Sequence, residues 1–247
     1  MFIAVPLFFI APGWAVLVLL FFLASCLIAP FLPAYGFFLP VVSRGKSGKS
    51  AVALTFDDGP SPASTPVLLQ LLARYDLKAT FFVIGRQAEK YPELIERIVA
   101  AGHNVGNHSW SHDNLLMFRS SDTLATDIKQ TQEVLARAGI RPLAFRPPVG
   151  ITGPRLKKLL DEQEMFVVNF SCRIYDRGNR NIKNLADRTL GRLKAGDIVL
   201  LHDLFPEQTG FGEYWQSELD RFFSKLIQHY QVLPLEELLE RPVMVKL

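Results

Sequence analysis

Apolar and polar positions divide the chain into an uncharged first stretch and a longer part in which short apolar runs alternate with helical patterns. Residues 2–43 contain no charged side chain. From residue 51 onward, apolar runs predict the strands 51–56, 79–84, 103–106, 143–146, 166–170, 197–202 and 231–233. Helical periodicity between them predicts helices near 64–75, 92–101, 121–138, 154–162, 184–193 and 214–230. This alternation predicts an α/β fold whose strands form a parallel sheet with right-handed crossovers.

The number of predicted strands suits a barrel better than a short open sheet. In a parallel barrel the carboxyl ends of the strands share one rim, and that rim holds the active site. Polar motifs stand at or shortly after the ends of several predicted strands. We therefore expect side chains as distant in sequence as Asp57 and His202 to meet at this rim.

The apolar run 13–29 is, with either flank, long enough to cross the roughly 30 Å hydrocarbon core of a bilayer. A removed signal peptide is the alternative, but no Lys or Arg precedes the run and the apolar stretch is too long for one. We therefore interpret residues 1–43 as a membrane anchor. The prolines that interrupt it are Pro6, Pro12, Pro30, Pro33 and Pro40. They favour one spanning helix followed by a half-helix, or a helical hairpin, over a single straight helix.

The stretch 44–50 is rich in glycine, serine and basic residues and is predicted to be a short flexible tether. It leads into a single domain formed by residues 51–247. The positive-inside tendency, applied to Arg44, Lys46 and Lys49, favours the cytoplasmic side of a bacterial inner (plasma) membrane for this domain. The other side remains the alternative, because three charges are few.

Charge and cysteine content exclude some other classes of protein. The net charge of +3 and the lack of a dense basic cluster argue against a nucleic-acid partner. The two cysteines are Cys26 and Cys172, and a disulfide between them would join the membrane segment to the domain. We therefore expect no disulfide framework, and we expect a monomer.

Two adjacent carboxylates, Asp57 and Asp58, end the first predicted strand of the domain. One of them could bind a metal while the other acts as a base. The alternative is a polar turn, because Asp-Gly-Pro is good turn chemistry. His108 and His112 are four residues apart, and on a helical turn both rings would lie within reach of one cation. Surface histidines on a polar loop are the alternative for that pair.

An arginine and a third histidine also follow predicted strands. Arg146 precedes Pro147-Pro148, and this stiff segment could hold a guanidinium against a carboxylate. A surface arginine on a rigid loop is the alternative. His202 ends a strand predicted to be buried and could be a general acid with a tuned pKa. The alternative for His202 is a buried core histidine whose hydrogen bonds are satisfied and which has no catalytic role.

Taken together, the motifs resemble those of the polysaccharide deacetylase family, which is built on the NodB homology domain (carbohydrate esterase family 4). The resemblance covers roughly residues 50 to 237. The matching motifs are Thr55-Phe56-Asp57-Asp58-Gly59-Pro60, His108-Ser109-Trp110-Ser111-His112, Arg146-Pro147-Pro148-Val149-Gly150 and Leu200-Leu201-His202-Asp203. The resemblance implies a distorted (β/α)7 barrel of NodB type. It also implies a divalent metal, usually zinc, with cobalt, nickel or manganese as alternatives, held by Asp58, His108 and His112.

The resemblance also implies roles for the remaining motif residues. Asp57 would be the catalytic base and Arg146 would orient it. The backbone N–H of Val149 would help to stabilise the oxyanion, and His202 would be the general acid. Asp176 fits the acidic position that supports Arg146.

The chain departs from the family pattern at two places. Val149 stands where the family usually has an aromatic residue, which preserves a backbone role but changes the side-chain wall. In the segment 169–177, Phe170 can replace the usual aromatic residue, while Arg177 stands where tryptophan is expected. Substrate preference is therefore expected to diverge near Arg177.

The activity implied is metal-dependent hydrolysis of the N-acetyl amide of an amino sugar. The anchor favours a polysaccharide or lipid-linked glycan at the membrane, so carbohydrate and membrane lipid are the expected partners. The alternatives are a deformylase or another amide hydrolase acting on a lipid-linked sugar, and an inactive metal-containing module that binds glycans.

Overall fold

The structure is a computed structural model that describes residues 12–45, 50–174, 176, 178–208 and 210–247. Four parts of the sequence predictions lie outside the described residues: residues 1–11 of the anchor, Lys46, Lys49 and Arg177.

Most strands of the described residues are short and buried. They are β1 Val41–Val42, β2 Ala51–Asp57, β3 Ala79–Val83, β4 Asn104–Asn107, β5 Ile140–Pro142, β6 Ala144–Phe145, β7 Phe166–Val168, β8 Cys172–Arg173, β9 Ile198–His202, β10 Gln231–Val232 and β11 Met244–Lys246. All residues of β2 and β3 are buried, as in parallel strands that are covered on both faces.

Helices separate most of these strands. They are α1 Pro12–Ile28, α2 Thr65–Arg74, α3 Gly85–Lys90, α4 Pro92–Ala100, α5 Ser121–Arg137, α6 Leu156–Glu162, α7 Leu185–Leu190, α8 Phe211–His229 and α9 Leu235–Leu239. Short 3-10 helices are Ala29–Phe31, Leu116–Phe118 and Pro148–Gly150. Local sequence explains several helix starts: α4 begins at a proline, and Ser120 caps α5 by accepting the N–H of Thr123.

The main sheet is parallel and curled. Its strand order is β1-β7-β6-β4-β3-β2-β9-β8, with β10 paired to the first residues of β2. Within the described parts of the chain, the two ends of this path, β1 and β8, do not pair with each other. The sheet is therefore an open half-barrel of the predicted (β/α) type, and β5 pairs with β11 in a separate antiparallel ribbon.

Helices cover the sheet and bury a large apolar core. Phe56 of β2 stacks on Phe81 of β3 with ring centroids 5.2 Å apart. Trp215, Phe222 and Phe223 of α8 are fully buried in the same cluster. This burial of aromatic surface holds the two central strands in place, and these strands carry the candidate site at their carboxyl ends.

The register of the sheet aligns the strand ends that carry the motifs. Asp57 of β2 lies opposite His202 of β9 and Phe82 of β3. Asn107, the last residue of β4, lies opposite Val83 and Phe145. The residues after these positions therefore emerge at one rim, as the alternation of strands and helices predicts.

The N-terminal part differs from the sequence prediction at its end. The stretch Gly13–Phe31 is the one described segment that is long and apolar enough to cross a membrane by length and composition. Val41 and Val42, which lie in the stretch 1–43 interpreted as anchor, instead pair with Val167 and Val168 in the sheet. A two-residue apolar strand has the same hydropathy as the anchor before it, so composition could not separate the two.

The predicted tether also begins differently. Arg44 forms a bridge with Asp197 and an ion pair at 2.7 Å with its buried carboxylate. The N–H of Gly45 donates to the carbonyl of Gly196. The first two residues of the stretch 44–50 are therefore bound to the domain.

Candidate active site

Asp57 is held at the end of β2 by a buried arginine. Arg146 Nη1 donates to Asp57 Oδ1 at 2.7 Å and to Thr55 Oγ1 at 2.8 Å. Its other donors reach the backbone carbonyls of Val168 and Asn169, both at 3.0 Å. Burial lowers the pKa of Arg146, and the charge of Asp57 opposes that shift. These contacts use Oδ1 of Asp57 and leave Oδ2 for other chemistry.

Asp58 leaves the strand in a left-handed conformation, with φ of 75°. This turn directs its carboxylate to the histidines: Oδ1 lies 3.0 Å from His112 Nε2 and 3.4 Å from His108 Nε2. Burial raises the pKa of Asp58, but the electrostatic influence of the neighbouring His108 and His112 outweighs it and holds the pKa well below its usual value.

The two histidines meet through a loop, not through a helix as their spacing predicted. His108 follows β4 directly, and Ser109 and His112 both have positive φ values, 69° and 53°. Ser109 Oγ accepts the N–H of His112 at 3.0 Å, and Asp127 accepts the N–H of Trp110 at 2.5 Å. The loop thereby brings the rings to 4.9 Å between centroids, within reach of one cation.

Asp58, His108 and His112 form a candidate metal centre. One ligand atom from each lies within 4.8 Å of the others. His108 Nδ1 lies 2.7 Å from the carbonyl oxygen of Arg146, so Nδ1 carries the proton and Nε2 offers its lone pair to the centre. Among the described residues, Asp58 Oδ1 is buried without an aligned hydrogen-bond donor. A carboxylate oxygen and two imidazole nitrogens that converge in this way fit a divalent cation with open positions.

His202 is held by a carboxylate on the other side of its ring. Its Nδ1 lies 2.8 Å from Asp176 Oδ2, and Asp176 is almost fully buried. Burial lowers the pKa of His202, but the hydrogen bond and charge of Asp176, with the charges of Asp58 and Asp57, outweigh it and raise the pKa to about 9. These carboxylates favour the protonated form of the His202 ring.

The predicted support of Arg146 by Asp176 is wrong. The donors of Arg146 reach Asp57, Thr55 and two backbone carbonyls, while Asp176 reaches His202. The physical reason is that the carbonyls of Val168 and Asn169, at the end of β7, already meet the guanidinium. Arg177, where the resemblance placed a change in the substrate wall, lies outside the described residues, as does Tyr175.

Val149 lies in the turn after Arg146-Pro147-Pro148. Its φ is 51°, and the turn is closed by a hydrogen bond from the N–H of Gly150 to the carbonyl of Pro147. The Val149 side chain is partly exposed and lines the same cavity as the histidines.

Most of the predicted site residues line one cavity of about 560 Å³. The predicted site residues that line it are Asp57, Asp58, His108, His112, Val149 and His202. Arg146 and Asp176 lie behind this lining, where they hold Asp57 and His202. Phe170, predicted to replace the usual aromatic residue, also lines it.

The sequence reasoning missed further residues of the cavity and its support. Arg86, Asn114, Arg180 and Glu207 line it. Arg86 follows β3, so the rule that chemistry collects at strand ends could have found it. Asp203 is buried and accepts hydrogen bonds from Ser64 Oγ at 2.7 Å and Thr65 Oγ1 at 2.6 Å, contacts that only the folded structure reveals.

Comparisons with known proteins agree with this geometry. The family model for polysaccharide deacetylase matches residues 44–168. The chain belongs to the polysaccharide deacetylase family. The resemblance drawn from the motifs is therefore confirmed.

Two relatives and one solved structure show which members of the family this chain is similar to. A peptidoglycan-N-acetylglucosamine deacetylase of Bacillus cereus is 38% identical over 159 residues, which is 64% of this chain and 58% of that protein. A chitooligosaccharide deacetylase of Sinorhizobium fredii is 34% identical over 172 residues, which is 68% of this chain and 79% of that protein. The crystal structure of the Bc1960 peptidoglycan N-acetylglucosamine deacetylase matches with a TM-score of 0.73 and 32% identity, covering 82% of this chain and 94% of that chain. The predicted barrel fold of NodB type is confirmed.

Proposed function

We infer that this protein is a metal-dependent hydrolase that removes the N-acetyl group from an amino sugar in a polysaccharide or lipid-linked glycan at a membrane. The observation that carries this proposal is the meeting of three units in one cavity. These are a candidate metal centre, a carboxylate held by Arg146, and a histidine held by Asp176. An amide hydrolysis needs an electrophile, a base and an acid, and the cavity offers one of each.

Asp58, His108 and His112 would hold the metal. A divalent cation at this place would polarise the acetyl carbonyl and activate water. Nitrogen and carboxylate ligands suit zinc, and cobalt, nickel and manganese are the alternatives. The hydrogen bond of His108 to the carbonyl of Arg146 fixes the tautomer that binds the metal.

Asp57 would be the general base. Arg146 donates to Asp57 Oδ1, and Asp57 Oδ2 lies 3.8 Å from His108 Nε2, beside the candidate metal centre. Because Arg146 fixes the carboxylate in one orientation, the free oxygen stays directed to that centre. Oδ2 can therefore take a proton from the attacking water.

Val149 and His202 would complete the reaction. The N–H of Val149 would donate a hydrogen bond to the oxyanion that forms when water attacks the acetyl carbon. His202, with a pKa of about 9, would give its proton to the sugar nitrogen, which must be protonated before it can leave. Asp176 would stabilise the imidazolium before this transfer.

The helix α1 would anchor the enzyme in a bacterial inner (plasma) membrane. Arg44, Lys46 and Lys49 favour the cytoplasmic side for the domain. Arg44 also serves the fold through its ion pair with Asp197. A topology reporter fused after residue 247 tests the side, and we propose that the enzyme acts as a monomer.

The decisive experiment is mass spectrometry of glycolipid and polysaccharide fractions from cells with and without the intact gene. A glycan that keeps an N-acetyl group only when the gene is missing supports the proposal and names the substrate. A retained formyl group would replace the deacetylase with a deformylase. If no fraction changes and the metal-loaded protein releases no acetate, the result would favour the inactive glycan-binding module.

A further inference from the structure

The chain that follows the apolar helix α1 is docked against the rim of the active-site cavity. The carbonyl of Pro30 accepts the N–H of Thr152 at 3.1 Å. The carbonyl of Pro33 accepts a hydrogen bond from Asn169 Nδ2 at 2.7 Å. Leu39 is buried in a core cluster, and Val42 pairs in the sheet. The connection between helix and domain is therefore a bound segment and holds the two at a short distance.

This segment contacts one wall of the cavity directly. Gly150 lines the cavity, and a Cβ built on it would lie 3.0 Å from Pro33 Cβ. The apolar stretch that could span a membrane ends at Phe31. Two residues of chain cover at most about 7 Å. The Cα of Gly150 therefore lies within about 13 Å of the Cα of Phe31, where that stretch ends.

A second part of the cavity rim, on the side of His112, also contacts the end of the apolar helix α1. The loop that carries His112 lines the cavity at Asn114 and then turns through Leu116–Phe118. The ring of Phe118 stacks on that of Phe31 with centroids 6.0 Å apart. Two separate walls of the cavity thus adjoin the end of the apolar helix.

Exposed apolar side chains surround this junction. Phe31, Leu32, Leu115 and Phe118 are each about half exposed, and we call these four the apolar collar. Large apolar side chains at the end of a spanning helix suit the boundary between headgroups and acyl chains. The collar is continuous with α1, so the lipid bilayer is the surface that would cover it.

We propose that the apolar collar seats the mouth of the active site on the lipid bilayer, so that the substrate is an amino sugar linked to a lipid. This inference rests on the proposed deacetylase function and narrows its substrate. The polar zone on each face of a bilayer is only about 5–8 Å thick. An acetyl group must therefore come close to the headgroups to enter the cavity, and a sugar joined to a lipid through phosphate lies at that depth.

The charge of the cavity wall agrees with such a substrate. Beyond the catalytic groups, Arg86, Arg173, Arg180 and Glu207 line the cavity, and Arg180 pairs with Glu207 at 3.3 Å. Arginine recognises phosphate through paired hydrogen bonds. A phosphate-linked sugar brings an anionic group that an arginine of this wall, such as Arg86, can recognise, and a neutral glycan does not.

The position of the collar is tested with the full chain in nanodiscs of phosphatidylethanolamine and phosphatidylglycerol. In a Cys26→Ser background, Leu115→Cys and Phe118→Cys carry an environment-sensitive fluorophore, while the buried Cys172 stays unlabelled. Nitroxide lipids should quench both probes, and aqueous iodide should not. The matched control is Ile227→Cys, exposed near the end of α8, which leads into β10 beside the amino end of β2. The probe at Ile227→Cys should be quenched by iodide and not by nitroxide lipids. If the probes at Leu115→Cys and Phe118→Cys behaved in that way too, the collar would not lie on the bilayer.

The substrate class is tested in the same nanodiscs with two probes. These are polyprenyl-diphospho-N-acetylglucosamine in the bilayer and tetra-N-acetylchitotetraose in solution. We expect kcat/KM to be higher on the lipid-linked probe by about tenfold or more, and Leu115→Ser combined with Phe118→Ser to reduce that ratio. Equal kcat/KM on both probes would overturn the lipid-linked class and keep the deacetylase. Release of acetate from neither probe, with zinc bound, would overturn the deacetylase itself.

Discussion

Asp176 Oδ2 lies 2.8 Å from His202 Nδ1, and this pair sets the charge of the histidine at the end of β9. Burial alone would lower the pKa of His202, but the carboxylate of Asp176 is the main group that raises it, to about 9. If the protonated ring supplies the proton to the leaving amine, kcat falls as pH rises through about 9. In Asp176→Asn this fall should move to lower pH. A pH profile of kcat measures it, and an unchanged alkaline limb would contradict the role of the pair.

The same pair makes a pH-dependent contribution to stability. The pKa of His202 is about 9 in the folded protein and 6.5 in the unfolded chain. The stability that the pair contributes is therefore fully present below pH 6.5 and lost as pH rises through 9. Removing one partner of a buried ion pair costs about 3–5 kcal/mol. Asp176→Asn should lower the thermal unfolding temperature most at pH 6 and least above pH 9.

A surface ion pair provides the control for that measurement. Asp220 accepts from Arg74 Nη1 at 2.6 Å and from the Tyr75 hydroxyl at 3.0 Å, and the side chains of Arg74 and Asp220 are 51% and 37% exposed. Exposed pairs contribute little to stability. Asp220→Asn should therefore leave the unfolding temperature nearly unchanged at both pH values. An equal loss in the two variants would mean that the His202 pair behaves as a solvated one.

The partner of Asp176 also shows where sequence reasoning reaches its limit. The apolar periodicity predicted the strands that end at Asp57, Asn107 and His202, because burial on both faces leaves a clear signal. Which acceptor meets which donor depends on where the chain after β8 places Asp176, and that is beside His202. No local pattern encodes that path, so Asp176 was matched to Arg146 by position alone.

Two other differences have the same kind of cause. The spacing of His108 and His112 predicts a shared helical turn, but they meet through residues with positive φ, in a loop fixed by backbone N–H groups that donate to the side chains of Ser109 and Asp127. The apolar pattern does not predict the strand Val41–Val42, since hydropathy does not distinguish a short buried strand from the end of an anchor. Both features depend on contacts between distant residues.

The base assignment predicts a separation of metal binding from turnover. Asp57 is not among the three candidate ligands, and Asn can keep the hydrogen bond from Arg146 through its amide oxygen. Asp57→Asn should therefore bind metal normally and lose roughly 10²–10⁴-fold in kcat, the usual contribution of a general base. Elemental analysis and acetate release measure the two properties. Activity like that of the unchanged protein would remove Asp57 from the base role.

The metal centre predicts a joint loss. His108 contributes one of three converging ligand atoms, so His108→Ala should lose both metal and activity. His229 is an exposed histidine at the end of α8 and serves as the control. His229→Ala should keep both. If metal content by elemental analysis were the same in both variants, the ligand assignment of His108 would be wrong.

The docked segment before the domain predicts a difference between two glycines with the same backbone conformation. Gly150 has φ of 76° and Gly139 has φ of 75°, so alanine is strained at both, by about 1–2 kcal/mol. A Cβ at Gly139 meets nothing within 4 Å, whereas one at Gly150 lies 3.0 Å from Pro33 Cβ. Gly150→Ala should therefore lower the unfolding temperature further than Gly139→Ala, by roughly 2–4 °C for each additional kcal/mol. It should also reduce kcat, because the neighbouring N–H of Val149 moves with the turn. Equal unfolding temperatures would indicate that Pro33 does not press on this wall of the cavity.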